Sequence, residues 1–210
     1  ARSIVCLYQP ACSSFCIVYL CTMASTALES AFAFYASYHS NKTNQLIHIF
    51  CVWPILFTAQ IFLAYTPPVL AAYPQVNAAL LVSAFYMVYY FIIEQPGIAG
   101  PIASLLTLGG YLFATSIQAS TPDVWKIALF IHVACWAAQI YGHQAHEGRS
   151  PAFLDNMAQA LLFAPLFVLL EVMFAFGYKP EFHKKAQALA SKNILEFRHA
   201  RAEAARQKTK

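Results

Sequence analysis

Four long apolar segments constrain the fold of this chain more than any other feature. Each runs for about 18–20 residues with at most one charged residue, which is the length a helix needs to cross a hydrocarbon core of ~30 Å. They are Leu46–Tyr65, Val76–Ile93, Ile98–Ile117 and Met157–Phe176. Pro, Gly and polar residues separate them. We therefore predict an all-α, multi-span membrane protein with about four to five apolar helices arranged as hairpins.

The overall composition excludes an ordinary soluble protein. Of 210 residues, 60% are hydrophobic and only 10% are charged, whereas charged residues make up roughly a quarter of a soluble domain. So few charges cannot cover the surface of a water-soluble fold of this size. The expected surroundings are a lipid bilayer, and no obligate protein partner is evident.

The charge is concentrated in a basic tail. Residues 179–210 carry nine Lys or Arg against three Glu, which predicts a basic C-terminal helix near the anionic head groups of the cytosolic leaflet. No nucleic-acid partner is expected, because the tail shows no recognition motif. We expect residues from about Pro180 onward to be dispensable for chemistry.

The chain divides into three parts by composition. Residues 1–22 form an extra apolar segment, residues 23–178 a membrane-embedded catalytic domain, and residues 179–210 the basic tail. The first part is compatible with a signal-like segment or an additional span. A third interpretation, which we favour, is that the natural protein starts at Met23. Ala24–His39 is then predicted to be an interfacial helix that leads into the first span.

Two histidines stand at the beginning of the first span. The stretch YASYHSNKTNQLIHIF places His39 and His48 nine residues apart, with Asn44 as the expected N-cap of the helix that carries His48. A histidine inside lipid is costly unless it finds a partner. Both side chains should therefore meet polar groups from another helix.

A later helix supplies such groups. When Val124–Glu147 is placed on a helix at 100° per residue, nearly all of its polar chemistry falls within an arc of about 100°. The residues in this arc are His132, Trp136, Gln139, His143, His146 and Glu147. Because neutral imidazole is the commonest transition-metal ligand, this stripe predicts a metal site more readily than a packing motif.

The two groups together predict a nitrogen-rich site for one metal ion. His39, His48, His132 and His143 are the candidate catalytic residues and ligands for Fe(II), Zn(II) or Cu, with His146 as a further candidate. Asn44, Gln139 and Glu147 are expected to orient the imidazole rings. A di-iron hydroxylase would have HxxHH boxes, and a zinc protease would have an HExxH motif; the sequence has neither. A polar network that only braces helices remains open as an alternative.

Two blocks of the chain resemble the 2-hydroxy-fatty-acid dioxygenase family of fungi, plants and bacteria. The blocks are FAFYASYHSNKTNQLIHIFCVWPILF and HVACWAAQIYGHQAHEGRSPAFLDNMAQALLFAPLFVLLEV, with the motifs YHxxxxNxxxH and HxxxWxxQxxGHxxHExRxPA. The resemblance runs from about Leu28 to Tyr178. It leaves out the first 22 residues and most of the basic tail.

The resemblance implies a function. It implies an Fe(II)-dependent enzyme of the endoplasmic reticulum membrane that uses dioxygen for the α-oxidation of long-chain 2-hydroxy fatty acids in phytosphingosine breakdown. His39, His48, His132 and His143 carry over as iron ligands. Arg149 could pair with the substrate carboxylate, or serve as an ordinary interfacial anchor. Two alternatives stay open: a lipid or ion carrier whose histidines relay protons, and an interaction protein of the endoplasmic reticulum.

Overall fold

The computed structural model describes residues 26–148 and 157–208. These residues form seven α-helices and one π-helical turn, with no strand among them, so the prediction of an all-helical membrane protein is confirmed. The helices are α1 (26–38), α2 (Lys42–Ala64), α3 (Ala78–Ile93), α4 (Ala99–Ser120), α5 (Val124–Gly142), α6 (Met157–Ala175) and α7 (Pro180–Lys208), and the π turn spans His143–Glu147. The predictions on residues 1–22, Met23 and Arg149 lie outside the described residues.

The start of α2 differs from the sequence prediction. Asn41, not Asn44, is the N-cap, because the Asn41 side chain accepts a hydrogen bond from the backbone N–H of Thr43. The short polar run before the helix offers two asparagines, and the first satisfies the free N–H groups of the opening turn. Asn44 is instead completely buried inside the helix, which leaves its side chain for another role.

Helices α2 to α5 form the membrane-embedded bundle. Helices α2, α4 and α5 (with the π turn) are long and apolar enough to cross a bilayer, and the 16-residue α3 returns the chain between α2 and α4. Gln60 ties three of them together: its Nε2 donates to Ser83 Oγ at 2.9 Å and to the Thr107 carbonyl at 3.0 Å. In lipid such internal hydrogen bonds hold helices that no hydrophobic effect drives together.

The apolar side chains that face outward agree with a lipid environment. Phe50 is 73% exposed, Phe130 is 74% exposed and Leu105 is 68% exposed. Soluble monomers rarely expose large contiguous apolar areas. These three residues lie on three different spans, so the apolar surface extends around the bundle.

Helix α6 does not behave as an ordinary fourth span. Because successive helices run in opposite directions, Glu94 lies on the side of the bundle where α2 begins and α5 ends, which we call the near side. Tyr178 and Lys179, which follow α6, both bind Glu94. Near its start, α6 accepts a hydrogen bond at the Leu161 carbonyl from Tyr86, in the middle of α3. Helix α6 therefore packs along the near half of the bundle, and the bent pair of α6 and α7 is a broken or re-entrant segment.

The N-terminal and C-terminal helices pack closer to the bundle than the sequence predicted. Phe32 of α1 is only 2% exposed and packs edge-to-face against Phe167 and Phe174 of α6. Ala186 and Ala190 of α7 are also buried. One face of α1 thus packs into the core, and α7, bent by 117° from α6, covers part of the core.

A candidate metal centre beside a lipid-facing cavity

Three buried histidines converge on the near side of the bundle. His39 follows α1, His48 lies in the second turn of α2, and His143 opens the π turn after α5. One ring nitrogen from each lies within 4.8 Å of the other two. All three side chains are at most 4% exposed. We call this group the histidine triad.

Two of these rings are oriented by backbone carbonyls. His39 Nδ1 lies 2.8 Å from the carbonyl oxygen of Tyr35, and His48 Nδ1 lies 2.9 Å from that of Asn44. A carbonyl oxygen only accepts, so each Nδ1 carries the proton and each Nε2 keeps its lone pair. His39 Nε2 is buried without a hydrogen-bond partner among the described residues. A metal ion would satisfy such a nitrogen.

The surroundings keep His39 neutral. Burial lowers the pKa of His39 well below its usual value, and the neighbouring His48 and His143 lower this pKa further, while the bond to the Tyr35 carbonyl opposes the shift. A neutral imidazole is the form that binds metal. The donor set therefore fits a divalent transition metal.

Glu147 braces the centre from outside. Its Oε1 accepts hydrogen bonds from the backbone N–H of Asn41 (2.8 Å) and from Asn44 Nδ2 (3.2 Å), and its Oε2 accepts one from Ser40 Oγ (2.7 Å). Asn44 in turn offers its carbonyl to His48. The carboxylate thus fastens the end of α5 to the start of α2, on which the orientation of His48 depends.

The π turn and Gly142 make this close approach possible. Helix α5 gives way to a π turn at His143. Such turns are rare in proteins, and those that occur are often found at functional sites. A Cβ at Gly142 would lie 2.4 Å from Asn44 Oδ1 and 3.2 Å from Ile47 Cδ1. Only glycine lets α5 pack directly on Asn44 here.

His132 lies apart from the triad, although the sequence grouped it with the other three. Eleven residues separate it from His143, which is about 16 Å along a helix axis. Its two ring nitrogens are also engaged: Nε2 accepts from Trp136 Nε1 (3.1 Å), and Nδ1 lies 2.8 Å from Thr58 Oγ1. The helical projection gave the shared face correctly but carried no information about height. His146 is also outside the triad and contacts the ring of Tyr141.

An apolar cavity of about 240 Å³ begins at the triad. It follows the seam between α2 and α5 as far as His132, and α1, α3 and α6 close its other walls. The Ile140 and Leu161 side chains on its rim are exposed, so the cavity meets the lipid-facing surface. Its lining residues are Phe34, Tyr35, His39, His48, Val52, Ile55, Leu56, Ala59, Tyr86, His132, Trp136, Gln139, Ile140, His143, Ala160, Leu161, Ala164, Pro165 and Phe167.

Tyr35 is a site residue that sequence reasoning missed. Its ring stacks on His39 with 4.0 Å between the ring centroids, and its hydroxyl donates to Glu171 at 3.3 Å. The spacing of four residues between Tyr35 and His39 was the available signal, because residues four apart share a helix face. The carboxylate that receives the hydroxyl comes from α6 and was not foreseeable.

Comparisons with known proteins identify the family of this chain. The family model described as "2-hydroxy-palmitic acid dioxygenase Mpo1-like" matches residues 25–176. A relative from Saccharomyces cerevisiae, named 2-hydroxy-palmitic acid dioxygenase MPO1, is 31% identical over 153 residues, which cover 73% of this chain and 83% of the relative. No solved structure matches. The family match extends over all three histidines of the triad, over Glu147 and over the cavity, and the chain belongs to the Mpo1-like family of 2-hydroxy-palmitic acid dioxygenases.

Proposed function

We propose that this protein is an Fe(II)-dependent dioxygenase that shortens long-chain 2-hydroxy fatty acids by one carbon at the endoplasmic reticulum membrane. One observation carries the proposal: three buried histidines meet at the head of an apolar cavity that opens to lipid. The name of the yeast relative supplies the class of substrate. The physical arrangement is the one such a substrate needs, a polar reaction centre at the end of an apolar channel.

The proposed reaction balances without a further reductant. The 2-hydroxy acid and one dioxygen give the shortened carboxylic acid, carbon dioxide and water. The bond between C1 and C2 breaks, C2 becomes the new carboxyl carbon, and dioxygen takes up the four electrons that the substrate loses. Only a long-chain acid and dissolved oxygen must reach the site, and both partition into a membrane.

A redox-active metal is required, and iron fits the donors. Zinc has no redox chemistry, whereas histidine nitrogen suits iron and copper as well as zinc. We assign His39, His48 and His143 as the ligands, which leaves further coordination positions for the substrate oxygens and dioxygen. Bound iron would supply dioxygen activation. The protein itself holds the His39 and His48 imidazoles in one tautomer, excludes water by burial and orients the acyl chain.

The cavity accounts for a long-chain substrate. Its walls are mostly aliphatic or aromatic, with Val52, Leu56 and Phe167 among them. Each methylene buried there contributes about 0.8 kcal/mol to binding, so an acyl chain supplies most of the affinity. The hydroxyl and carboxylate then remain at the triad, where two oxygens on adjacent carbons suit chelation.

The substrate preference tests this proposal. The purified protein, reconstituted with Fe(II), should consume oxygen with 2-hydroxypalmitate and yield pentadecanoic acid, and it should be nearly inactive with palmitate. Palmitate lacks the hydroxyl and so loses the alignment that can account for roughly 7–11 kcal/mol of a barrier. Oxygen uptake and mass spectrometry of the products measure both, with a chelator control.

Other results would favour the alternatives. Equal turnover of the two acids, or products of unchanged carbon number, would contradict α-oxidation. No metal binding and no oxygen uptake would favour a proton-relaying carrier or an interaction protein.

A further inference from the structure

Gln139 presents a buried hydrogen-bond donor that no described residue accepts. Its side chain is 8% exposed, and its Nε2 has no hydrogen-bond partner among the described residues. Leaving a buried donor unsatisfied is costly. The cost is recovered if a ligand completes the hydrogen bond.

The position of Gln139 shows where such a ligand would lie. Gln139 and His143 line the same cavity, one helical turn apart, which is about 6 Å along the axis. An acceptor that meets Gln139 is therefore close to the triad and not at the His132 end of the cavity. The ligand must reach this point from an apolar channel, so it is an amphipathic molecule with an oxygen acceptor at its head.

Neighbouring donors in the cavity are already engaged. The Tyr35 hydroxyl donates to Glu171 at 3.3 Å, and the Tyr86 hydroxyl donates to the Leu161 carbonyl at 3.0 Å. Neither is free for a ligand without a rearrangement. Gln139 offers its amide directly.

We propose that Gln139 is a substrate-binding residue whose side-chain N–H donates a hydrogen bond to the carboxylate of the long-chain acid. This rests on the proposed function for the identity of the acid. The contact fixes the head of the substrate beside the triad while the acyl chain extends along the seam between α2 and α5. It is also a carboxylate contact that needs no charged residue in the membrane, where charges are expensive.

A thermodynamic cycle of two protein variants and two ligands tests the contact without relying on turnover. The binding of 2-hydroxypalmitate and of 1,2-hexadecanediol, which lacks the carboxylate, is measured on metal-free protein in detergent for the unchanged chain and for Gln139→Leu. A hydrogen bond to a charged group is stronger than one to a neutral group. The substitution should lower affinity for the acid roughly ten- to a hundredfold and affinity for the diol several-fold at most.

Two further variants guard against a merely structural effect. Gln139→Glu keeps the shape but places a carboxylate against the ligand, so it should weaken acid binding at least as much as Gln139→Leu while diol binding remains. Gln118→Leu, on a half-buried glutamine of α4 that does not line the cavity, should bind both ligands like the unchanged protein. The Gln139 variants should also retain their iron.

Equal losses for the acid and the diol would overturn the assignment of Gln139, as would no loss for either. This outcome is separate from the failure of the proposed function. If the unchanged protein binds the acid but never consumes oxygen, the proposed chemistry is wrong, yet the difference between acid and diol would still establish the carboxylate contact.

Discussion

His39 and His48 are fixed by the same local device. Each ring bonds through Nδ1 to the carbonyl four residues earlier, that of Tyr35 or Asn44, so local backbone contacts orient both Nε2 atoms without any contact from α5. Such preset rings require little reordering when a metal binds. The orientations of His39 and His48 are therefore set locally, whereas the position of His143 depends on how α5 packs against α2.

Single alanine substitutions should separate the triad from the other histidines. His39→Ala, His48→Ala and His143→Ala should each lose most of the bound iron, because each removes a buried nitrogen donor. His132→Ala should keep its iron, since Thr58 and Trp136 occupy its ring nitrogens. Elemental analysis of protein purified without chelators measures this, and exposed His199→Ala is the control. Iron loss in His132→Ala equal to that in the triad variants would restore the four-histidine site predicted from sequence.

The brace from Glu147 is open to a similar measurement. Glu147→Leu removes the acceptor for three hydrogen bonds, from Ser40, Asn41 and Asn44. The affinity for iron should fall by about 10–100-fold, which is typical when groups that orient ligands are lost. Metal titration with a competing chelator gives the affinity. Glu196→Leu is the control, because this exposed carboxylate makes only a 3.9 Å pair with Lys192; equal effects of the two substitutions would exclude the brace.

At the scale of helices, the sequence predicted which helices carry the site residues better than it predicted how these helices pack. Apolar runs located α2, α3, α4 and α6, and helical periodicity in the segment of α5 placed Gln139 and His143 on one face. The same projection grouped His132 with them because it shows only angle; the spacing of eleven residues from His143, about 16 Å along a helix axis, already places His132 too far away to share one metal ion. The π turn and the packing of α6 along the near half of the bundle were also missed, since both depend on contacts between helices distant in sequence.

Gly142 tests the close docking of α5 on α2. In Gly142→Ala the new methyl group would lie 2.4 Å from Asn44 Oδ1, so the helices must separate, at a cost of about 1–3 kcal/mol for overpacking. Both thermal stability and iron content should fall. Gly109→Ala is the matched control, because nothing lies within 4 Å of its Cβ position, and it should be neutral or slightly stabilising. Full iron content in Gly142→Ala would show that α5 docks more loosely than the structure indicates.

At the scale of the whole molecule, an ion pair on the near side joins the turn between α3 and α4 to the segment between α6 and α7. Glu94 is completely buried at the turn between α3 and α4, where its carboxylate accepts hydrogen bonds from Tyr178, Lys179 and the Gly100 backbone. These contacts fix the start of α7, whose buried alanines cover the core. The expectation that residues from about Pro180 onward are dispensable for chemistry stays a prediction. The structure adds a role in stability: Ala186 and Ala190 are buried, so removal of the whole helix should destabilise the bundle.

Removing one partner of this pair should be costly. Lys179→Met leaves the Glu94 carboxylate buried without its cation, which destabilises proteins by about 3–5 kcal/mol; the remaining donors keep the effect toward the low end. Adding Glu94→Gln should recover part of the loss. Unfolding in mixed micelles measures the free energy. Lys192→Met, on an exposed pair, should change stability by less than about 1 kcal/mol. A Lys179→Met variant as stable as this control would show that the pair does not hold the bundle together.

The exposed rim at Ile140 and Leu161 has a consequence for how this protein meets its substrate. A molecule that enters through the side of the bundle arrives from the bilayer, so its availability depends on its share of the membrane and not on its concentration in water. Adding inert phospholipid or detergent at constant amounts of acid and protein should slow the reaction, because it lowers the concentration of the acid within the membrane phase. Diluting the same vesicles with buffer should leave the rate per enzyme unchanged.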